Sequence, residues 1–263
     1  MEYSCIRNQI EDGVSIITFN RPDKLGAMNS EMMAETIHAI EKAAESGDVR
    51  CIILTGTGRG FCSGQDLNDR IKQTPGKKRD LGVTLDEGYN RFARKIRSLR
   101  IPIVVAVNGI AAGAGSSIAL LGDIVIAAKS ASFIQAFVRI GLVPDCGGTY
   151  ALPRLVGRAR ALGMALLGDT IDATTAAEWG LIWKVSEDEE LMADALLIAK
   201  KLASGPTKSY ALIRQAIHAA DTNSFDEQLD FEMQCQRAAG YTEDHAEGVS
   251  AFVEKRPAKF KGQ

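Results

Sequence analysis

The chain has 263 residues, with 31 Lys and Arg against 33 Asp and Glu, a net charge of -2, 46% hydrophobic and 24% charged residues. This ordinary globular usage excludes collagen-like, disordered and disulfide-scaffold classes, and the near-neutral balance gives no global pull toward nucleic acid or an anionic membrane. The length suffices for one large core.

The opening residues, MEYSCIRNQIED, do not read as a secretory leader, and the final KFKGQ is neither a peroxisomal nor a retention tag. Next, CIRNQIEDGVSIITF reads as two strands turning at Asp12-Gly13. Asn29 or Ser30 caps a helix to about Ser46, with Met33, Ile37, Ile40 and Ala44 at helical spacing. CIILTG is a short apolar run, as in a strand buried on both faces. The stretch Ile71 to Gly88, with Pro75, Gly76 and a KKRD cluster, reads as a mobile insertion, and a helix is expected from about Tyr89 to Leu99.

Ile101 to Gly122 carries no charge and has the length of a membrane span. Its Pro, Asn, Gly and Ser residues divide it instead into a strand (IPIVVAV), a glycine-rich turn (NGIAAGAG) and a short helix (SSIALLGD). IVIAA is a further buried strand. Helices are expected near 158–167, 173–180, 189–203, 207–220, 225–239 and 242–255. The pattern gives an α/β core followed by a helical tail, with no strict sequence repeat.

Cys5, Cys51, Cys62, Cys146 and Cys235 are odd in number and form no CxxC pair, which argues against disulfides and zinc and fits a reducing cytoplasm. His38, His218 and His245 lack metal-ligand spacing. GTGRGF and GAGSSI both miss the third glycine of the dinucleotide fingerprint.

Three segments carry more information. Gly58 to Leu67 follows the CIILT strand, and Asn108 to Gly115 follows IVVAV. Small residues there let a ligand approach free backbone N–H groups, and two such segments on neighbouring strands can hold one oxygen; alternatively the glycines serve tight turns and close packing. The third segment is GLVPDCGGT. Its Asp145 is the only carboxylate between Asp123 and Asp169. It is either the N-cap of a helix starting near Gly148 or a general base tuned by an apolar pocket.

Together these segments resemble the crotonase (enoyl-CoA hydratase/isomerase) superfamily. NRPDKLGAMN at 20–29, GDIVIAAKSASF at 122–133 and EGVSAFVEKRPAKF at 247–260 extend the similarity over essentially the whole chain. GRGFCSGQDLNDR, VNGIAAGAG, GLVPDCGGT and EWGLIWKV are similar to the branch that isomerises a ring epoxide of phenylacetyl-CoA.

The resemblance implies an α/β spiral of ββα units over residues 1–200 and a C-terminal helical region over 201–263 that builds a homotrimer or a dimer of trimers. It implies an acyl-CoA substrate, no separate cofactor and no metal, and a thioester enolate held by the backbone N–H groups of Gln65 and Ala114. Asp145 takes the catalytic position. The two glutamates that manage water in hydratases correspond to Ser117 and Phe137, which favours isomerisation of the ring epoxide or of 3-enoyl thioesters over hydration. Ser117, Phe137, Leu142 and Val143 are expected around the acyl group, with Tyr89 and Asn90 nearby. Lys24, Leu25, Ala27, Asp66 and Leu67, with Lys259 or Lys261 of a neighbouring subunit, are expected around CoA. A hydratase and a catalytically silent CoA- or partner-binding trimer are the alternatives.

Overall fold

The computed structural model describes residues 2–67 and 80–263. Strands β1 (Ile6–Glu11) and β2 (Val14–Phe19) form the expected antiparallel hairpin. Asp12 and Gly13 both take positive φ, 49° and 75°, the conformation a two-residue turn needs to match strand twist. Helix α1 (Ser30–Glu45) starts where expected, with the Asn29 side chain accepting the Met32 N–H at 2.9 Å. Met33, Ile37 and Ile40 are buried as their spacing predicts; Ala43, rather than Ala44, completes that face.

The centre of the molecule is built from strand pairs. β3 (Cys51–Gly56), β5 (Ile103–Val107) and β7 (Ile124–Ala128) lie parallel in a six-stranded sheet ordered β1-β2-β3-β5-β7-β10, with β10 at Lys184–Ser186. Each of the three continues through a short turn into a strand of a second sheet: β4 (Gly60–Cys62), β6 (Ile110–Ala112) and β8 (Ser132–Ile134). β9 (Thr170–Asp172) closes that sheet antiparallel to β8. The apolar runs IILT and IVVAV are buried throughout, as expected for strands covered on both faces. The charge-free stretch resolves into β5, β6 and a helix, α4 (Ala114–Ala119), and among the described residues no helix is long and apolar enough to cross a membrane.

One expectation is corrected. Residues 71–79 of the expected mobile insertion lie outside the described residues, but its remainder is helical. Asp80 caps α2 (Leu81–Thr84), a π-helical turn covers Leu85–Asn90, and α3 (Arg91–Ser98) follows directly. The helix expected from Tyr89 thus has its beginning at Leu81. Gly82 and Gly88 weaken local helix propensity, and burial of Tyr89 and Phe92 overrides it.

The C-terminal part runs through α5 (Gly148–Leu167), kinked at Gly157, then α6 (Ala173–Glu178), α7 (Leu191–Ala203), α8 (Thr207–Ala219), α9 (Phe225–Gly240) and α10 (Glu243–Glu254). Ala195, Ala199 and Ala203 recur every four residues on one buried face of α7, so this helix can lie close across β3 and β5. Arg214 ties α8 to the core. Its guanidinium donates to Asp123 at 2.7 Å, to the Ile96 carbonyl at 3.1 Å and to the Leu99 carbonyl, while Asp123 also accepts the Ile103 N–H at 2.8 Å. Arg214→Leu leaves the partly exposed Asp123 carboxylate and the Ile96 and Leu99 carbonyls without their donor, and loss of about 2 kcal/mol of unfolding free energy in urea is expected. A loss below about 0.5 kcal/mol would show that the pair is a surface-like contact.

Candidate active site

Residues 63–67 leave β4 and run beside the 21–28 loop. Met28 donates to the Gly64 carbonyl at 2.8 Å and accepts from the Asp66 N–H at 2.9 Å, forming a parallel bridge with Gln65 between those two bonds. In such a bridge the flanking residues do the bonding, so the Gln65 N–H faces away from Met28. Gly64 makes this turn with φ +101°. A Cβ added to Gly64 would lie 3.0 Å from the Ala112 carbonyl and 3.8 Å from the Ala114 nitrogen, so the two glycine-rich segments meet here.

Ala114 opens α4, and its N–H is among the first-turn donors that lack an intrahelical acceptor. Gly113, at φ 53° and ψ -126°, sets the entry angle, and its own N–H is used on the Ile134 carbonyl at 2.8 Å. Gly115 packs so tightly on β4 that a Cβ would meet the Cys62 carbonyl at 1.9 Å. Close packing of α4 on β4 thus sets the Gly64 turn against the start of α4.

The 141–149 loop crosses the same helix. Gly148 sits over Ser117, where a Cβ would lie 2.6 Å from Ser117 Oγ, and Gly147 packs toward Leu121. Of the two readings of Asp145, the N-cap one does not hold: the cap residue of α5 is Gly147, and the Asp145 backbone carbonyl accepts the Gly148 N–H at 2.8 Å. The Asp145 side chain is left free of that duty. Its Oδ1 is buried with no partner among the described residues, and burial pushes its carboxyl up to about 6. Cys146 anchors the loop, fully buried, with Sγ 3.7 Å from the Tyr89 carbonyl. Burial raises its thiol far above the ordinary range, so it is a packing residue rather than a nucleophile.

Ser117 Oγ and Gln135 Oε1 are also buried without a partner among the described residues, and the Gln135 amide reaches Ser116 Oγ at 3.2 Å. Native proteins rarely leave such groups unsatisfied away from a ligand site. Sequence reasoning missed Gln135, whose surroundings read only as strand and loop.

Beside Gln65 lies a cavity of about 260 Å³, lined among others by Met28, Met33, Ile37, Thr84, Glu87 and Tyr89. Tyr89 is thus near the site, as expected. The lining residues do not include Ser117, Phe137, Leu142 or Val143. Phe137 still touches the amide region, its Cζ 3.9 Å from the Cβ position of Gly113, whereas Val143 is 76% exposed in the protomer. The apolar wall of this cavity comes from Met33, Ala34 and Ile37 of α1. Met33 and Ile37 signalled burial in the sequence, and nothing distinguished a cavity wall from the core.

The expected CoA-contacting residues fall into two groups. Lys24, Leu25 and Ala27 are zipped to residues 63–66: Ser63 donates to the Leu25 carbonyl at 3.0 Å, and the Arg21–Asp66 ion pair spans 2.8 Å. Asp66 is buried in that pair, so only its backbone is available to a ligand. Leu67 is exposed at the rim. Lys259 and Lys261 lie elsewhere. Their backbone N–H groups bond Glu247 and Asp244, and Arg50, just before β3, bonds the Phe260 carbonyl at 3.1 Å. β3 alone, at about 3.3 Å per residue, puts roughly 15 Å between this tail and the Lys24 loop. Within one protomer the two groups are not brought together.

A model of the family described as enoyl-CoA hydratase/isomerase matches residues 9–263. A 1,2-epoxyphenylacetyl-CoA isomerase from Escherichia coli is 50% identical over 98% of this chain and 98% of its own length. A protein of Rhodobacter capsulatus described as "Probable enoyl-CoA hydratase" is 45% identical over 100% of both chains. The crystal structure of an enoyl-CoA hydratase from Bacillus anthracis superposes with a TM-score of 0.93 at 30% identity, covering 99% of this chain and 100% of that one.

Proposed function

Since the chain belongs to the enoyl-CoA hydratase/isomerase family and has the crotonase fold, we propose that it is an acyl-CoA isomerase in which Asp145 moves one proton along a conjugated acyl group. The Gln65 and Ala114 amides hold the thioester oxygen as it becomes an enolate oxygen. Asp145 breaks the C–H bond next to the thioester and returns the proton further along the same system. For a 3-enoyl thioester the proton leaves C2 and arrives at C4, while the double bond moves from C3–C4 to C2–C3. For a ring 1,2-epoxide of phenylacetyl-CoA the proton returns to a ring carbon as the bicycle opens to an oxepin. The similarity to a relative with that named activity supports the ring substrate.

The observation that carries this reading is the Asp145 carboxyl, desolvated and with Oδ1 unpartnered among the described residues, in a loop that packs on α4 at Ser117. A base with a value near neutral pH exchanges protons with carbon most efficiently. Hydration, the second reading, is favoured by the relative from Rhodobacter capsulatus. It needs a second proton-transfer group on water, and Ser117 and Phe137 supply none. A silent binding trimer would leave the desolvated carboxyl without a purpose.

Lys24, Leu25, Ala27, Asp66 and Leu67 would line the CoA path through backbone and surface contacts. Lys259 and Lys261 would serve a neighbouring protomer's CoA in a homotrimer or a dimer of trimers. Phe225, Tyr241 and Phe252, at 77, 86 and 85% exposure, supply apolar surface for that assembly. A cytoplasmic setting suits the five free cysteines.

The test is product analysis. The protein should convert 3-hexenoyl-CoA to 2-hexenoyl-CoA and epoxyphenylacetyl-CoA to its oxepin, with deuterium from solvent entering next to the thioester. Crotonyl-CoA should hydrate at least 100-fold more slowly. Preferential hydration would establish the second reading instead.

A further inference from the structure

Of residues 141–149, the loop that carries Asp145 past α4, only Cys146 and Gly148 are buried. Gly148 has no side chain and rests on Ser117, so Cys146 supplies the one fully buried side chain that fixes the loop. Its backbone lies in the left-handed region at φ 51°, directly before Gly147 at φ 81°. Glycine adopts that conformation freely, whereas a residue with a Cβ is strained in it. Such strain persists only where the surroundings impose it. Two things hold Cys146 there: its place in the core, and the bond from its thiol to the Tyr89 carbonyl at 3.7 Å. Tyr89 belongs to the π-helical turn Leu85–Asn90, a rare kind of turn that is frequent at functional sites.

We propose that Cys146 is a positioning residue: its tie to Tyr89 fixes the left-handed turn that holds the Asp145 carboxyl in its buried place. This deepens the isomerase reading and rests on it for the role of Asp145. The side of the turn after Cys146 is fixed, because Gly148 is seated on Ser117. The φ angle of Cys146 therefore decides where the Asp145 side chain lies. Released from Tyr89, the turn is free to relax, and the carboxyl moves toward water, which favours its charged form. The thiol acts through position and not through charge. Cys146 and the nearby Cys62 are both kept protonated by burial, so Asp145 is the group of this cluster that titrates near neutral pH.

The test follows the Asp145 carboxyl directly, by NMR of protein labelled with carbon-13 at the aspartate carboxyls. The signal missing from Asp145→Asn is that of Asp145, and its wild-type midpoint is expected at about pH 6. Cys146→Gly removes the tie and the strain together, and it should fold because glycine accepts the turn. Its midpoint should fall by at least about 1 pH unit. Its kcat for isomerisation should fall by about 10- to 100-fold, with KM changed by less than about 2-fold. Cys146→Ser keeps a donor of similar size and should hold both values near those of the wild type. A residue that only packs would lower the unfolding temperature and leave the midpoint alone. A midpoint in Cys146→Gly within about 0.3 pH units of wild type therefore overturns the assignment, as does a Cys146→Ser midpoint shifted as far as that of Cys146→Gly. The titration needs no substrate, so failure of the isomerase reading would show in the product analysis and not here.

Discussion

Asp145→Ala is expected to lower kcat for isomerisation by about 10³- to 10⁴-fold with KM nearly unchanged. In the proposed mechanism the carboxyl acts on the reacting carbons and not on CoA, so the loss is expected in the chemical step. A second carboxylate, Glu87, lines the cavity beside Gln65. A variant that kept more than a tenth of wild-type kcat would transfer the proton role to Glu87 or to water. Asp145→Asn, which keeps the shape, should fail equally, because an amide cannot take up the proton.

The same group sets a pH dependence in two observables. As a base it must be ionised, so wild-type kcat should rise through about pH 6, where burial has pushed it. For stability the sign follows from proton binding. The native state keeps this proton up to about pH 6, while an unfolded Asp releases it near about 3.9. Between those values the native state binds more protons, so stability falls as pH rises through that window and stays lower above it. Asp145→Asn removes the penalty. With screening of the half-buried carboxyl, it should stabilise the protein by about 1–2 kcal/mol at pH 7.5 and by nothing below about pH 4.

The parts of this molecule that were legible in the sequence are those whose cause is local. The Asp12-Gly13 turn, the Asn29 cap and the apolar runs of β3, β5 and β7 each carry their own signal. β4, β6, β9 and β10, with three residues each, are too short for periodicity, and parallel pairing with distant strands creates β4 and β6. Asp145 stood out because no other carboxylate lies near it in sequence. Its release from capping did not, because that depends on Gly147 taking φ 81°.

Gly64→Ala should lower kcat by about 10²- to 10³-fold, the usual cost of losing one oxyanion donor. Gly64 turns at φ +101° where the chain leaves β4, next to the Met28 bridge from which the Gln65 N–H faces away. A side chain strains that conformation by about 1–3 kcal/mol. Its Cβ would also sit 3.0 Å from the Ala112 carbonyl, which is backbone held in β6 and cannot swing aside. The strand end must therefore shift, and a shift of a few tenths of an ångström matters for the proposed convergence of two amides on one oxygen. Gly157→Ala separates strain from placement. Gly157 also has positive φ, 77°, but lies at the kink of α5 with nothing within 4 Å of its Cβ position. Both variants should lose comparable stability on thermal unfolding, while only Gly64→Ala loses turnover in the folded enzyme. Equal kcat in the two would remove the Gln65 amide from the chemistry and leave Gly64 as a packing residue.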